Sequence, residues 1–400
     1  MYVPNRAAQY REALVAPVRD VTMRVTALDS NYNTIVDVTQ PSVEGVVYVD
    51  VERATRRTAQ IRLINKDGAY TPKGSDYATY GTNALFWWNK MFRLEYGLKV
   101  AGVFEYVPLG VFMIDRTEVL AERGISVINI DGSDQWKRMA YSTWAAPAAY
   151  AKNVDFNTII ADIATAAGIP ANRLLLDSLS TRSTTEKQVQ VPVFFEEGDN
   201  RGEKLAELCA DWNLEIFFDV DGYLRTRDLK VVADEIQSKA PDWTFTSGED
   251  AVMLNITKSK TSEQIKNHVV VTGEAEDGTA VVRGEWIDDF GTDTASKKYT
   301  NVYSQTSVSA IGDRVLAIRS KTLRTTQGCL DLAQSELRKS AVVEEEIALP
   351  SIVNPLFEGR DVIEIIESNS DTNDKYYLGA FDIPMRSSTQ EIHVKKVRVL

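Results

Sequence analysis

From Asp155 onward the apolar residues change period, and that change divides the chain. Phe156, Ile159, Ile160, Ile163, Ala164 and Ala167 recur at the spacing that puts them on one face of a helix. Gly168 and then Pro170 supply the stop, because one tolerates a left-handed backbone and the other cannot continue a helix. A second helix is expected after Asn200, whose side chain can cap free N–H groups, with Glu203 at the reciprocal position of a capping box. Leu205, Leu208, Cys209 and Trp212 form its apolar stripe. The stretch EIFFDVDGYLRTRD, Glu215 to Asp228, follows at once with two runs of β-formers around an Asp-Gly pair. Helices and strands are interleaved, so the middle of the chain reads as a small α+β module.

On both sides of this module the pattern is that of strands. In RRTAQIRLINKDGAYTP, Ala59, Ile61 and Leu63 alternate with Gln60 and Arg62 before an Asp67-Gly68 turn, which buries one face. VTMRVTALDSN, GVVYVDVE, YVPLGVFMIDRTEV and GISVINIDGSD continue the meander. MLNITKSK, NHVVVTGE, AVVRGEWIDD, VEEEIALP and DVIEIIES restore it after the module, interrupted by a helical spacing at Leu330, Ala333 and Leu337. Ile392 and Val394 share one phase and Val397 and Val399 the other, which places a bulge at Lys395-Lys396. Boundaries are expected near 140–153 and 233–242, where Pro147 and Pro241 sit. The domains are then 1–140, 141–235 and 236–400.

Forty-five Lys and Arg against fifty-seven Asp and Glu give a net charge of −12, which argues against a protein that grips nucleic acid by its phosphates. Cys209 and Cys329 are too few for a disulfide framework and have no metal spacing, so both are expected as reduced, buried thiols. No apolar leader core and no window near the ~18 apolar residues of a membrane span is visible, so the expectation is a soluble chain made in a cytoplasm, without membrane insertion.

Candidate chemistry is sparse. His268 and His393 each stand in an alternating strand context without an acidic or cysteine partner at motif spacing. There is no HExxH, GxSxG, GxxxxGK[ST] or GxGxxG run, and EEGDNRGEKLAEL reads as a helix cap. Glu196/Glu197 or Asp288/Asp289 could serve a glycosidase only at separations that adjacency does not supply. Trp87, Trp88 and Trp144 are candidate exposed aromatic contacts for a glycan or receptor, against the alternative of core or subunit packing. A calcium loop starting at Asp219 would need a ligand at position 5, Gly at 6 and Glu at 12, where the chain has Tyr223, Leu224 and Lys230. The turn chemistry fits instead: Asp221 and Gly222 are expected to supply positive φ angles, and Asp219 and Asp221 to bond the turn's own backbone. No catalytic residue, cofactor site or metal site is expected, although Asp371–Asp374 leaves an adventitious cation open.

Taken in order, these segments resemble the tail-hub or baseplate-hub family of tailed phages and related contractile injection machines. RRTAQIRLINKDGAYTP resembles the family's β-ladder ending in an Asn-x-Asp-Gly turn, and YVPLGVFMIDRTEV its Leu-Gly-x-Phe-x-Ile strand. FNTIIADIATAAGI looks like its short helix ending in Ala-Gly-Ile, and GEKLAELCADWNLEIFFDVDGYLRTRD like its helix, hairpin and Asp-x-Asp-Gly-Tyr-Leu run. KNHVVVTGE and IALPSIVNPLFEGRDVIEI are similar to later segments of the same family. The resemblance covers about residues 50–370 and leaves both ends of the chain without a match.

The resemblance implies an α+β, β-rich fold in which two β-barrel-like, tail-tube-like domains flank the small α+β module. It implies a homotrimer at the virion's tail tip, adapting a sixfold tail tube to a threefold tip and conducting viral DNA without specific binding. It also implies, as partners, a distal tail or tail-tube protein, a central spike or fibre protein and a tape-measure protein. The role would be structural rather than enzymatic. A receptor- or carbohydrate-binding tail-tip module and a distal-tail ring protein are the alternatives.

Overall fold

The structure is a computed structural model that describes residues 1–39, 43–71, 85–86, 90–122, 125–180, 182–229, 239–247, 253–261, 263, 265–274, 281–288, 297–299, 306–320, 323–341 and 344–395. Alternation in the outer parts of the chain becomes one sheet of thirteen strands. Its path runs through Thr257–Thr261, Glu344–Ile352, Thr389–Lys395, Thr372–Pro384, Glu44–Asp50, Arg57–Ile64, Ile125–Ser133, Val103–Glu122, Met91–Val100, Val21–Leu28 and Thr34–Asp37. Trp243–Thr246 and Val362–Glu367 join beside this path. Ala59, Ile61 and Leu63 point into the core and Gln60 and Arg62 to solvent, as their alternation dictates.

The ladder that joins the early strands to the late ones is antiparallel, Val46–Asp50 against Ala380–Pro384. It carries one core across the join, in which Val47, Ile61, Phe92 and Ile130 pack with Ile347, Leu378, Phe381 and Ile392. The β-rich α+β class is the one expected from the sequence. Among the described residues the path of strands stays open, and the early and late β portions share this core. Val103–Glu122 changes partner along its length, pairing with Met91–Val100 up to Met113 and with Ile125–Ser133 from Met113 onward. Bulges at Leu94/Glu95 and Ile114/Arg116 accompany the change, since an extra residue bends a strand.

The two helices of the middle module lie where the period places them, at Phe156–Ala166 and Arg201–Asp211. Asp155 accepts from the Asn157 N–H and Asn200 from the Glu203 N–H at 3.0 Å, so each start is capped by its own side chain. Phe156, Ile159, Ile163, Leu205 and Leu208 form a separate core, and Phe156 stacks on Trp212. A short helix at Ala7–Val15, with Tyr10 and Leu14 fully buried, was not visible in the sequence.

Residues 265–341 hold a third structural unit. Its strands Lys297–Tyr299, Val281–Asp288, His268–Glu274 and Val315–Arg319 form their own sheet. The helix Thr326–Ser340 covers one face, packing Cys329, Ala333 and Leu337 against Val269 and Val271. Both cysteines are free and buried. Among the described residues no helix is long and apolar enough to cross a membrane. Val397 and Val399, and with them the bulge expected at Lys396, lie outside the described residues.

Candidate functional site

The strand Arg57–Ile64 is preceded by Arg56, and the fold buries both arginines, Arg56 to 4% and Arg57 to 1% exposure. Such groups must be paired, because an isolated guanidinium out of water is very costly. Their partners come from distant parts of the chain. Arg56 Nη2 donates to Glu215 Oε1 on the middle module's hairpin, and Arg360 Nε donates to the same oxygen at 2.6 Å. Arg227 Nη1 stands 3.5 Å from the other oxygen of Glu215. Arg57 pairs with Glu358, its N–H donates to Asp134 Oδ2 at 2.9 Å, and its Nη1 donates to the Leu109 carbonyl at 3.3 Å. The guanidinium of Arg56 also lies 4.1 Å from the centre of the Phe217 ring. Early strand, hairpin and late turn are therefore bound into one charged junction.

Burial alone would push the Glu215 carboxyl up, but Arg56, Arg360 and Arg227 outweigh it and hold the group below its ordinary value. Burial pushes Arg56 down to about 10 against the pull of Glu215, so the pair stays ionised at neutral pH. Asp134 is pushed up to about 6 by burial, opposed by the N–H groups of Arg57 and Trp136. Beside the junction lies a cleft of about 760 Å³ between the hairpin loop at Asp219–Asp221 and the Glu358–Val362 turn. Its carboxylates at Asp219, Asp228, Glu358 and Asp361 are paired with Arg225, Arg182, Arg57 and the N-terminal ammonium of Met1. Among the described residues no three His, Cys, Asp or Glu side chains come together as a metal set. Chemically the arrangement fixes modules against each other.

Asp219, Val220 and Asp221, in the hairpin loop that ends at Tyr223, line one side of this cleft. Asp219 accepts from the Asp221 and Tyr223 N–H groups at 3.0 and 2.9 Å and pairs with Arg225, so its carboxylate serves the turn. Only Gly222 has a positive φ, +78°. The expectation that Asp221 shares it is corrected: the Gly222 N–H reaches the Asp219 carbonyl, closing a turn whose last residue alone is left-handed. Trp144 is also corrected as an exposed contact, since it is 7% exposed and stacks on Phe195 at 4.3 Å between ring centres. Trp87 and Trp88 lie outside the described residues.

The remaining candidates do not converge. His268 bridges Glu285 and Asp313 at 2.9 Å each, and His393 stands 3.5 Å from Glu391. Glu196 and Glu197 are exposed in the loop before Asn200. Asp288 is fully buried and accepts from the Thr306 hydroxyl at 2.6 Å, while Asp289 is outside the described residues. Sequence reasoning missed Arg56, Glu215 and Arg360 altogether. Their separations of 159 and 145 residues leave no local signal beyond the Arg56-Arg57 pair at the head of an alternating strand.

No family model matches the chain, and no curated protein matches it in sequence. Solved structures do match in fold. The tail protein from Neisseria meningitidis MC58 superposes with a TM-score of 0.62 at 10% identity, covering 94% of this chain and 97% of that one. The 43 kDa tail protein of prophage MuSo2 from Shewanella oneidensis gives 0.57 at 12%, covering 94% and 98%. A chain of the half-lidded Francisella PdpA-VgrG complex gives 0.53 at 11%, covering 99% of this chain and 61% of that one. Over 94% of its length the chain thus shares the fold of these two tail proteins.

Proposed function

We propose that this chain is a structural hub protein of a phage tail or baseplate. The observation that carries the reading is the match in fold over nearly the whole length of both chains for two tail proteins. In this reading the protein is a homotrimer at the virion's tail tip. Its ring adapts a sixfold tail tube to a threefold tip and conducts DNA without holding it. Its neighbours are a distal tail or tail-tube protein on one side, a central spike or fibre protein on the other, and a tape-measure protein within.

Physical features of the chain support a load-bearing role. The junction at Glu215 binds three distant segments into one body, and the shared core makes the early and late strands interdependent. The net charge of −12 favours passage of DNA over retention. Electron microscopy of the purified full chain tests the reading. Class averages should show a threefold ring with an axial opening wide enough for duplex DNA. A monomer would overturn the hub reading, and a sixfold ring would replace it with the distal-tail alternative.

A further inference from the structure

We infer that the two-stranded ribbon of the middle module, Ala148–Tyr150 with Val193–Phe195, seats an amphipathic helix of another protein, one whose apolar stripe is edged by Lys or Arg. The two strands run antiparallel, with Phe194 directly opposite Ala149. Their inner face is core: Val193 and Phe195 are buried, Phe195 stacks on Trp144, and Ala148 and Tyr150 pack beside them. A strand pair with one face buried ordinarily turns polar residues outward. This one does not. Phe194 is 73% exposed with Ala149 exposed beside it, and the same alternation continues into Pro147 and Ala151 on one side and Pro192 on the other, all exposed. The sixth position of that face is Glu196, exposed as well.

An apolar side chain exposed singly needs no explanation, but a whole apolar face marks a place where something docks. Apart from Phe194 its apolar residues are alanine and proline, so the face is a low shelf beside one aromatic ridge. A helix is the element that covers such a shelf, because its apolar stripe lies across neighbouring strands. This chain covers the sheet of residues 265–341 in that way, with Thr326–Ser340. An exposed ring at the edge of the shelf is the kind of anchor that carries much of a contact's strength.

Charge decides which helix fits. Glu196 and Glu197 stand exposed at one end of the shelf, and among the described residues no ion pair holds either carboxylate. The turn that carries them is fixed to the ribbon, since the Gly198 N–H donates to the Trp144 carbonyl at 2.9 Å and the Trp144 N–H to the Asp199 carbonyl at 3.1 Å. The acids therefore keep their place beside the shelf. At the other end Lys152 already has a partner within the chain. Covering the shelf leaves two uncompensated carboxylates at its rim unless the incoming helix brings cations. A second copy turning its own ribbon to this one would bring the same two acids and no unengaged lysine, so the occupant is a different protein.

The probe is a labelled amphipathic helical peptide of leucine and lysine, titrated with the full chain and read by fluorescence anisotropy. Phe194→Ser should weaken its binding about tenfold or more, with an unchanged near-ultraviolet circular dichroism spectrum showing that the Trp144–Phe195 stack is intact. Glu196→Gln with Glu197→Gln should weaken it about threefold and flatten its dependence on salt. Val18→Ser, at a valine that is exposed in the N-terminal segment, should leave it unchanged. Binding that survives Phe194→Ser, or that Val18→Ser lowers as much, would mean that the lysines adhere to the acidic surface at large, and it overturns the assignment. Binding indifferent to the loss of both carboxylates overturns the choice of a basic helix. An assembly of the wild-type chain that Phe194→Ser dissolves would make the occupant a second copy and overturn the inference. Peptide binding is independent of the ring, so its failure leaves the hub reading standing.

Discussion

Gly222 is the residue where the hairpin permits one side chain only. Its φ of +78° disfavours any L residue, and an added Cβ would lie 2.9 Å from the Tyr32 ring and 3.1 Å from Val111 Cβ. Gly222→Val should therefore cost about 2–4 kcal/mol, read as a lowered urea midpoint, and an unchanged midpoint would refute the account. Asp219→Ala removes the one oxygen that accepts from two N–H groups and should cost about 1 kcal/mol, with the same melting temperature in calcium and in chelator. This turn was legible because every element of it lies within five residues. A different residue sets the response to acid. Asp134, at about 6 in the folded chain against an ordinary 3.8, binds a proton more readily folded than unfolded. Stability should therefore rise as pH falls from about 7 through 6 towards 4, by on the order of 1–3 kcal/mol. Glu215 acts oppositely: its contribution is present above its unfolded value near 4.5 and is lost as pH falls through its lowered folded value. Melting temperature should peak in the acid range between these effects. Asp134→Asn should remove part of the rise, the remainder belonging to Asp361, also raised to about 6, and to Asp382, which burial raises as well. A flat profile in the wild type would refute this.

At the scale of elements, what was legible was whatever repeats locally. The helices Phe156–Ala166 and Arg201–Asp211 announce themselves by period and by the caps at Asp155 and Asn200. The helix Ala7–Val15 does neither, with no side-chain cap at Arg6 and two buried positions in nine residues, so tertiary packing must define it. The docking of the hairpin was illegible for the same reason, since Arg56, Glu215 and Arg360 meet only once the chain is folded. That docking makes a sharp prediction. Glu215→Ala strands Arg56 without its carboxylate and should cost about 3–5 kcal/mol in urea unfolding. Replacing both, Arg56→Met with Glu215→Leu, should recover most of the loss, because the pair's desolvation penalty disappears with it. If the double variant were as unstable as the single one, packing rather than charge would hold the hairpin.

For the whole molecule, the consequence of one core shared by distant strands is cooperativity. Ile61 and Ile130 lie in the same core as Leu378 and Ile392, so neither the early nor the late strands can bury their apolar face alone. The unit at 265–341 differs, with its own sheet and its own core around Val269, Val271 and Leu337. It meets the middle module through hydrogen bonds of Ser320 to Asp211 and of Ser335 to Asn213, both at 2.9 Å. Each bond contributes only about 0.5–1.5 kcal/mol. Native-state hydrogen exchange in rising denaturant should therefore resolve two openings. Amides of Ile61, Ile130, Leu378 and Ile392 should merge into one isotherm at the higher free energy, despite lying more than three hundred residues apart in the extreme case. Amides of Val269 and Val271 should open earlier and together. A single isotherm for all six would mean that the third unit is bound to the body by more than its own contacts suggest. Separate isotherms for the early and late strands would mean that the ladder at Val46–Asp50 does not unite them.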